Sequence, residues 1–140
     1  GDLAMRALIA ARLHDSDKDV QRRAMDVYAA VVQPGDTQAV ADTLVAHIVG
    51  GEFCLRQMAV QTLLRVCKRG DPVLISKVLP WAETGHWPQR QAALEALAAL
   101  AERGDALVVD AVLQRLADGD ETCRQTACEV LSQVAAEGDD

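Results

Sequence analysis

The chain has 140 residues, half of them hydrophobic and only 3% aromatic, so a folded core must be built mainly from Ala, Leu and Val. This apolar content excludes a disordered chain, and no run approaches the roughly 20 apolar residues that cross a membrane. With 14 basic and 21 acidic side chains the net charge is −7, which disfavours a general affinity for nucleic acid. The chain opens on Gly-Asp rather than Met, and no stretch of it reads as a basic region followed by the apolar core of a signal peptide, so we expect a processed product or a segment of a longer protein.

A repeat of about 34 residues organises the sequence. The dipeptide Gly-Asp marks it at residues 1–2, 35–36, 70–71, 104–105 and 138–139. Each repeat carries two sets of apolar residues spaced three and four apart, which is the spacing of one helix face; we call these segments helix A and helix B. The second set includes one small residue per repeat, at Ala24, Ala59, Ala93 and Ala127. Stacking of these faces is the expected core, because one hairpin has too little apolar surface to fold alone.

The predicted helices, in chain order, lie near 3–14, 20–33, 38–49, 55–68, 72–83, 89–102, 106–117 and 123–136. Short turns rich in Asp, Ser and Gly, which are good N-caps and turn formers, separate helix A from helix B. Pro72 and Pro88 are expected at first helical positions, whereas Pro80 falls inside the third helix A and should kink or end it. The pattern predicts a single all-α array of four helical hairpins. The repeats run about 1–34, 35–69, 70–103 and 104–140.

The pattern resembles the HEAT-like repeats of the armadillo/HEAT superfamily, in the short variety also seen in phycobilisome lyases. The matching residues of the last repeat are Val112, Leu113, Leu116, Asp118, Asp120, Arg124, Ala127, Leu131, Gly138 and Asp139. The resemblance covers the whole chain and implies a right-handed α-solenoid of eight helices, with helices B on the concave face and helices A on the convex face. Since this superfamily serves mostly as a scaffold for binding, the resemblance implies a binding protein rather than a particular activity.

One arginine recurs near the start of helix B, at Arg56, Arg90 and Arg124, with Gln21 in the equivalent place. The resemblance implies that this arginine is structural and bonds the A–B turn of its own or a neighbouring repeat; a ligand-binding arginine is the alternative. Acidic turn residues are available to Arg56 and Arg124 in their own repeats. Arg90 has no acidic turn residue in its own repeat and is expected to reach across to another repeat.

Neither a metal centre nor a catalytic group stands out in the sequence. Some HEAT-like proteins are di-iron hydroxylases that use His-Glu pairs, but His14, His47 and His86 are followed by other residues. The four cysteines form no C-x-x-C pair and lie at no zinc spacing from a histidine, so we expect no metal, no cofactor and no disulfide. Cys67 and Cys128 fall on positions that are apolar in other repeats, which predicts buried, reduced thiols and an intracellular, reducing compartment.

Charge is unevenly distributed along the chain. Residues 1–70 hold 9 basic and 8 acidic groups, whereas residues 71–140 hold 5 basic and 13 acidic groups. Arg22, Arg56 and Arg65 lie on the polar parts of helix B in the first two repeats, so a concave face built from helices B would grade from basic to acidic. Such a face would orient a partner of opposite polarity, although ordinary solvated helix surface gives the same pattern.

The aromatic residues outside the core columns are the most informative feature. Phe53 and Trp87 occupy the same turn position in adjacent repeats, where the first and last repeats have Lys and Glu. Trp81 occupies a helix A position that is Arg or His elsewhere. Polar equivalents indicate exposed places, and exposed aromatic residues anchor interfaces. We therefore predict a partner-binding edge at the turns of repeats 2 and 3, centred on Phe53, His86 and Trp87 with Trp81 as an outlying member; a stack of two rings that covers the turns is the alternative.

The expected function is that of a non-catalytic scaffold or assembly subunit that binds another protein. A phycobilin-lyase-like or chaperone-like accessory protein acting on another protein is the alternative, and nucleic-acid binding through the basic N-terminal half is the third candidate. Ile9 and Leu13 at one end, and Leu131 and Val134 at the other, have no polar cap. Further repeats or a partner should therefore cover the ends of the array.

Overall fold

The structure is a computed structural model that describes the backbone of residues 2–33, 37–50 and 52–135, with the side chains of all of these except residues 2, 3 and 37. Over these residues the chain is all-helical and has no strand. The helices are α1 (Asp2–Arg12), α2 (Lys18–Val31), α3 (Thr37–Gly50), α4 (Phe53–Val66), α5 (Pro72–Thr84), α6 (Trp87–Leu100), α7 (Ala106–Arg115) and α8 (Glu121–Val134). The odd-numbered helices are the predicted helices A and the even-numbered ones the predicted helices B. None of them is long and apolar enough to cross a membrane.

Each helix B begins two residues earlier than predicted, because the last residue of the turn acts as its N-cap. The Asp17 carboxylate accepts hydrogen bonds from two backbone N–H groups in the first turn of α2, and the Asp120 carboxylate accepts one in the first turn of α8. Before α6, the Gln89 side chain accepts a hydrogen bond of 2.9 Å from the backbone N–H of His86. These bonds satisfy groups that a helix leaves unpaired at its start, so the first turn is stable.

The prolines of α5 and α6 follow the sequence prediction to different degrees. Pro72 opens α5, as predicted, but Pro88 is the second residue of α6 because that helix begins earlier. Pro80 does not end the third helix A, since α5 continues past it to Thr84. The Pro80 side chain lies on the exposed side of α5, where water can satisfy the backbone carbonyl that the missing N–H leaves unpaired.

The chain divides into two compact halves, Gly1–Cys67 and Lys68–Asp140. In the N-terminal half, α1 packs on α2 and α3 packs on α4, and the two hairpins meet where α2 packs on α4. Leu13, Leu44 and Leu63 are completely buried in this core. The apolar columns that define the repeat are therefore the columns that hold the two hairpins together.

In the C-terminal half, the α5–α6 and α7–α8 hairpins meet along both layers, α5 with α7 and α6 with α8. The small residues Ala93 and Ala127 have no exposed surface, which confirms that they serve packing. A methyl group at these positions lets neighbouring helices approach closely, and the large residues Leu94 and Leu97 fill the remaining space.

The Gly-Asp pairs of this half turn the chain into each helix A. Gly70 and Gly104 have φ angles of 80° and 87°, a left-handed conformation that favours glycine. The Gly70 N–H donates to the carbonyl oxygen of Leu100 at 2.7 Å, at the end of the same hairpin's helix B. Asp71 then caps α5, and Asp105 caps α7 in the same way. Gly1, Gly35, Asp36, Gly138 and Asp139 lie outside the described residues.

The exposed residues of the first and last hairpins differ from those predicted. Leu13 and Val134 are buried, and Ile9 and Leu131 are only partly exposed. The exposed large apolar residues are instead Met5, Leu8 and Val27 in the first hairpin, and Leu107 and Leu113 in the last. An apolar residue of an outer hairpin is buried where its helix face has a neighbour among the described residues and exposed where it has none. The outer hairpins carry apolar columns that no further described hairpin covers.

The prediction that Cys128 is buried is wrong, whereas Cys67 is buried as predicted. Cys128 occupies the column of Met25 in α2, whose side chain is buried where α2 packs on α4. The same face of α8 has no later helix against it in the described part of the chain. All four cysteines are present as thiols, with Cys123 buried and Cys54 exposed.

Candidate functional site

Phe53 and Trp87 are exposed aromatic residues at the first position of α4 and of α6. Their side chains are 61% and 46% exposed, far more than a ring that contributes to a core. The equivalent residues of the first and last repeats, Lys18 and Glu121, are exposed as well. The first residue of a helix B therefore projects into solvent in every repeat, so packing within the hairpin does not require an aromatic side chain there.

Arg56 lies over the Phe53 ring, with its guanidinium carbon 5.6 Å from the ring centroid. The two residues are three apart on α4, a spacing that places side chains on one helix surface. A cation over an aromatic face gains about 0.5–1 kcal/mol at an exposed site. Phe53 and Arg56 thus form one small surface that combines an apolar face with a positive charge.

Trp87 lies between two fixed backbone contacts. His86 precedes Trp87 as the N-cap of α6. The carbonyl oxygen of Trp87 accepts a hydrogen bond of 3.3 Å from the Cys123 thiol. Burial raises the pKa of that thiol, which keeps it protonated as a donor. The His86 side chain is exposed beside Trp87, whereas Trp81 on α5 is only partly exposed. The indole of Trp87 therefore projects from a backbone that hydrogen bonds hold at the start of α6.

The predicted arginines have different surroundings. Arg22 is engaged within the N-terminal half, with Nη2 2.6 Å from Glu52 and Nη1 3.1 Å from Asp19. The Glu52 carboxylate raises the pKa of Arg22 by a hydrogen bond and by its charge. Arg65 is exposed on α4 and lines a cavity of about 360 Å³ together with Met25 and residues of both α2 and α4.

An arginine–aspartate lock, formed by Arg90, Arg115 and Asp118, holds the turn between α7 and α8. Arg90 donates to both carboxylate oxygens of Asp118, at 2.9 and 2.8 Å, and Arg115 donates at 3.0 Å. The Asp118 side chain is only 1% exposed. Burial alone would raise the pKa of Asp118, but the hydrogen bonds from Arg90 and from the backbone of Asp120 hold it below its usual value.

For Arg90 and Arg124, these contacts include the predicted bonds to an A–B turn. Arg90 also donates to the carbonyl oxygen of Gly85 at 2.7 Å, in the turn of its own repeat. Arg124 donates to the carbonyl oxygen of Asp118 at 2.8 Å, and Gln21 bonds the equivalent carbonyl of Asp15. The sequence identified the recurring arginines, but it did not identify Asp118 as the residue whose carboxylate Arg90 and Arg115 share.

The N-terminal half contains a cavity of about 550 Å³ at the turn end of its helices, which the sequence did not predict. His14 and His47 lie on its wall with ring centroids 4.8 Å apart and planes inclined by 30°. His47 is buried, and its Nε2 has no hydrogen-bond partner among the described residues. Burial and, to a smaller extent, His14 lower the pKa of His47. The only signal in the sequence is a histidine in an otherwise apolar stretch of α3.

The described residues include no group of three or more His, Cys, Asp or Glu side chains that could hold a metal ion. In comparisons with known proteins, the chain matches no protein-family model and no curated protein. The resemblance to HEAT-like repeats therefore rests on the residue pattern given above.

Proposed function

We propose that the protein is a non-catalytic binding module that recognises another protein through aromatic anchors at the starts of its helices B. The observation that carries this proposal is the exposure of Phe53 and Trp87, at 61% and 46%, where the same repeat position holds charged residues elsewhere. Burying about 100 Å² of ring surface on a partner contributes about 2.5 kcal/mol. Large aromatic side chains contribute this area with few rotatable bonds, so little conformational entropy is lost.

The neighbours of each aromatic residue support a protein partner. Arg56 over Phe53 supplies a positive charge beside the ring, and His86 beside Trp87 supplies a polar rim. Interface hot spots combine an aromatic or arginine anchor with a surrounding polar rim. Arg22 contributes less to recognition in this proposal, since Glu52 and Asp19 already engage it.

We further propose that the four hairpins form one right-handed HEAT-like α-solenoid. Side-by-side packing of hairpins within each half supports this arrangement, as do the repeat columns that continue through all 140 residues. Further repeats or a partner would then cover the apolar surface of the outer hairpins, where Leu8 is 72% and Leu113 46% exposed. Exposed apolar surface of this kind is typical of an interaction site.

The test replaces Phe53 by Lys and Trp87 by Glu, the residues found at this position in the first and last repeats, singly and together. Exposed Leu107 (69%) replaced by Gln is the matched control, since it removes a similar apolar area near the start of α7. Immobilised chains are compared for proteins captured from a cell extract, by quantitative mass spectrometry, and then for direct binding by calorimetry.

The double variant should keep its helical content and melting temperature and lose at least about tenfold in affinity, or 1.4 kcal/mol, for a partner that the control variant still binds. The single variants then assign the loss to the N-terminal or the C-terminal half. Unfolding of the double variant would mean that the rings are core residues, and unchanged capture would remove them from the binding surface.

A further inference from the structure

The cavity of the N-terminal half lies where the arginine–aspartate lock lies in the C-terminal half. Repeats 1 and 2 align with repeats 3 and 4, so each residue of the lock has an equivalent. Gln21 stands in the place of Arg90, His47 in that of Arg115, and Gly50 in that of Asp118. All three equivalents line the cavity. The cavity of about 550 Å³ therefore lies at the position where the C-terminal half holds two arginines and a carboxylate, and smaller residues stand there instead.

His47, which stands in the place of a hydrogen-bond donor of the lock, has no acceptor in this cavity. Nε2 of His47 is buried without a hydrogen-bond partner among the described residues, and the residue as a whole is 7% exposed. A buried polar nitrogen without a partner destabilises the folded chain, so an acceptor that reaches it is favoured. In the C-terminal half the equivalent side chain of Arg115 donates to the Asp118 carboxylate at 3.0 Å. His47 thus lacks the acceptor that its counterpart has.

The cavity wall around His47 carries one cationic and one anionic side chain. His14 in the turn after α1, Lys18 at the start of α2 and Glu52 before α4 line the cavity with it. Glu52 does not fill the carboxylate position, because its oxygens pair with Arg22 at 2.6 Å and with Lys18 at 3.6 Å. Arg22 is not part of the cavity lining, so the charges of Lys18 and Glu52 balance there, and the position of the missing carboxylate is left without a negative group.

We propose that the cavity binds a small organic carboxylate, whose oxygens take the place that the Asp118 side chain holds in the C-terminal half. His47 Nε2–H and the Lys18 ammonium donate to it, and the buried side chains of Leu13 and Leu55 contact its apolar part. The carboxylate belongs either to a free small molecule or to an acidic side chain of a bound protein, and the two sources share this chemistry. The site is separate from the aromatic anchors of the proposed function.

Proton linkage gives the expected pH dependence. Burial and His14 hold the pKa of His47 below its ordinary value of 6.5, so the ring is neutral in the empty site at pH 7. A carboxylate beside Nε2 stabilises the imidazolium form and raises that pKa. Affinity for the carboxylate should therefore increase as the pH falls from 8 towards 5.5, by about tenfold for each unit of rise in the pKa.

The experiment follows the His47 ring signals by NMR while 3-methylbutanoate is added to the whole chain, with 3-methylbutanamide as the neutral control. The capped peptides Ala-Glu-Ala and Ala-Gln-Ala form the second arm. We expect the carboxylates to shift the His47 signals and raise its pKa, and the amides to do neither. Tighter binding of the Glu peptide than of 3-methylbutanoate assigns the site to protein side chains, and the reverse order assigns it to free carboxylates.

Two variants test whether the bound carboxylate lies beside His47, in the position that the Asp118 side chain holds in the C-terminal half. His47→Phe keeps a ring and removes Nε2, so binding should fall at least tenfold. Gly50→Asp restores the missing carboxylate to the chain itself, and a Cβ added at Gly50 meets nothing within 4 Å. This variant should raise the His47 pKa without ligand and weaken 3-methylbutanoate binding at least tenfold. Gly119→Asp is the matched control, since a Cβ there also meets nothing within 4 Å.

Equal shifts with carboxylate and amide, or no shift of His47 by either carboxylate, would overturn the proposal. Equal effects of Gly50→Asp and Gly119→Asp would do the same. If His47→Phe does not fold, the Gly50→Asp result decides the question, because that variant keeps the histidine and its signals. Loss of partner capture after substitution of Phe53 and Trp87, with His47 binding unchanged, separates this site from the proposed function.

Discussion

Replacement of Asp118 by Asn tests the arginine–aspartate lock. The substitution preserves the shape of the side chain and removes its charge, so Arg90 and Arg115 lose the carboxylate that they share. The Asp118 side chain is 1% exposed, and those of Arg90 and Arg115 are 19% and 20% exposed. The carboxylate is buried, and both arginine side chains are largely buried. The lock therefore belongs with buried rather than surface ion pairs.

The expected loss in the free energy of unfolding is about 3 kcal/mol, the lower end of the range for removing one partner of a buried pair. For a chain of this length, that loss corresponds to a decrease of about 10 °C in the melting temperature. Urea and thermal unfolding followed by circular dichroism measure both quantities. Asp15→Asn is the matched control, since Asp15 is the equivalent residue of the first repeat, 24% exposed and 3.6 Å from Arg12. This control should cost less than about 1 kcal/mol.

The pH dependence gives a second measurement of the same carboxylate. The folded-state pKa of Asp118 is lower than its ordinary value of 3.8, so the unfolded chain binds the proton more readily. The stability contributed by Asp118 is then complete above pH 3.8 and is lost as the pH falls through the folded-state pKa. The difference in stability between the wild-type chain and Asp118→Asn should therefore shrink in this acidic range. Equal costs for the two Asn variants at pH 7 would refute the buried lock.

Two further predictions concern the thiols and the positive-φ glycine. The exposed cysteines are Cys54 and Cys128, and the buried ones are Cys67 and Cys123. In the folded chain the exposed pair should react with an aromatic disulfide at least about tenfold faster than the buried pair, and all four should react alike in urea; equal rates in the folded chain would contradict the assigned burial. Gly70→Ala should cost about 1–2 kcal/mol in urea unfolding, because φ is +80° and the added Cβ would lie 2.6 Å from Cγ of Glu102. Gly50→Ala, at the end of a helix with open space around it, should be neutral, and equal costs for the two substitutions would refute the strain at Gly70.

The eight helices of the described residues and their order were predictable from the sequence, because the spacing of apolar residues and the turn residues act within a few residues of each other. The boundaries of helices B differ by two residues because Asp17 and Asp120 cap them from the turn. The recurring arginine was also recognisable, since Arg90 and Arg124 repeat at a fixed interval. Each of these features depends on local geometry that a repeat displays several times.

Which side chains meet across hairpins was decided only by the tertiary structure. Asp118 became the shared acceptor of Arg90 and Arg115 because the turn after α7 lies against the start of α6, and residues 28 apart in the sequence come within 2.9 Å. The burial of Cys67 and the exposure of Cys128 likewise depend on which helix faces have a neighbour. The cavity beside His47 is lined by residues that include Gln21 of α2 and His47 and Gly50 of α3, none of which is unusual alone. Their combined effect follows from packing, because a buried polar group needs its partner in space and not in sequence.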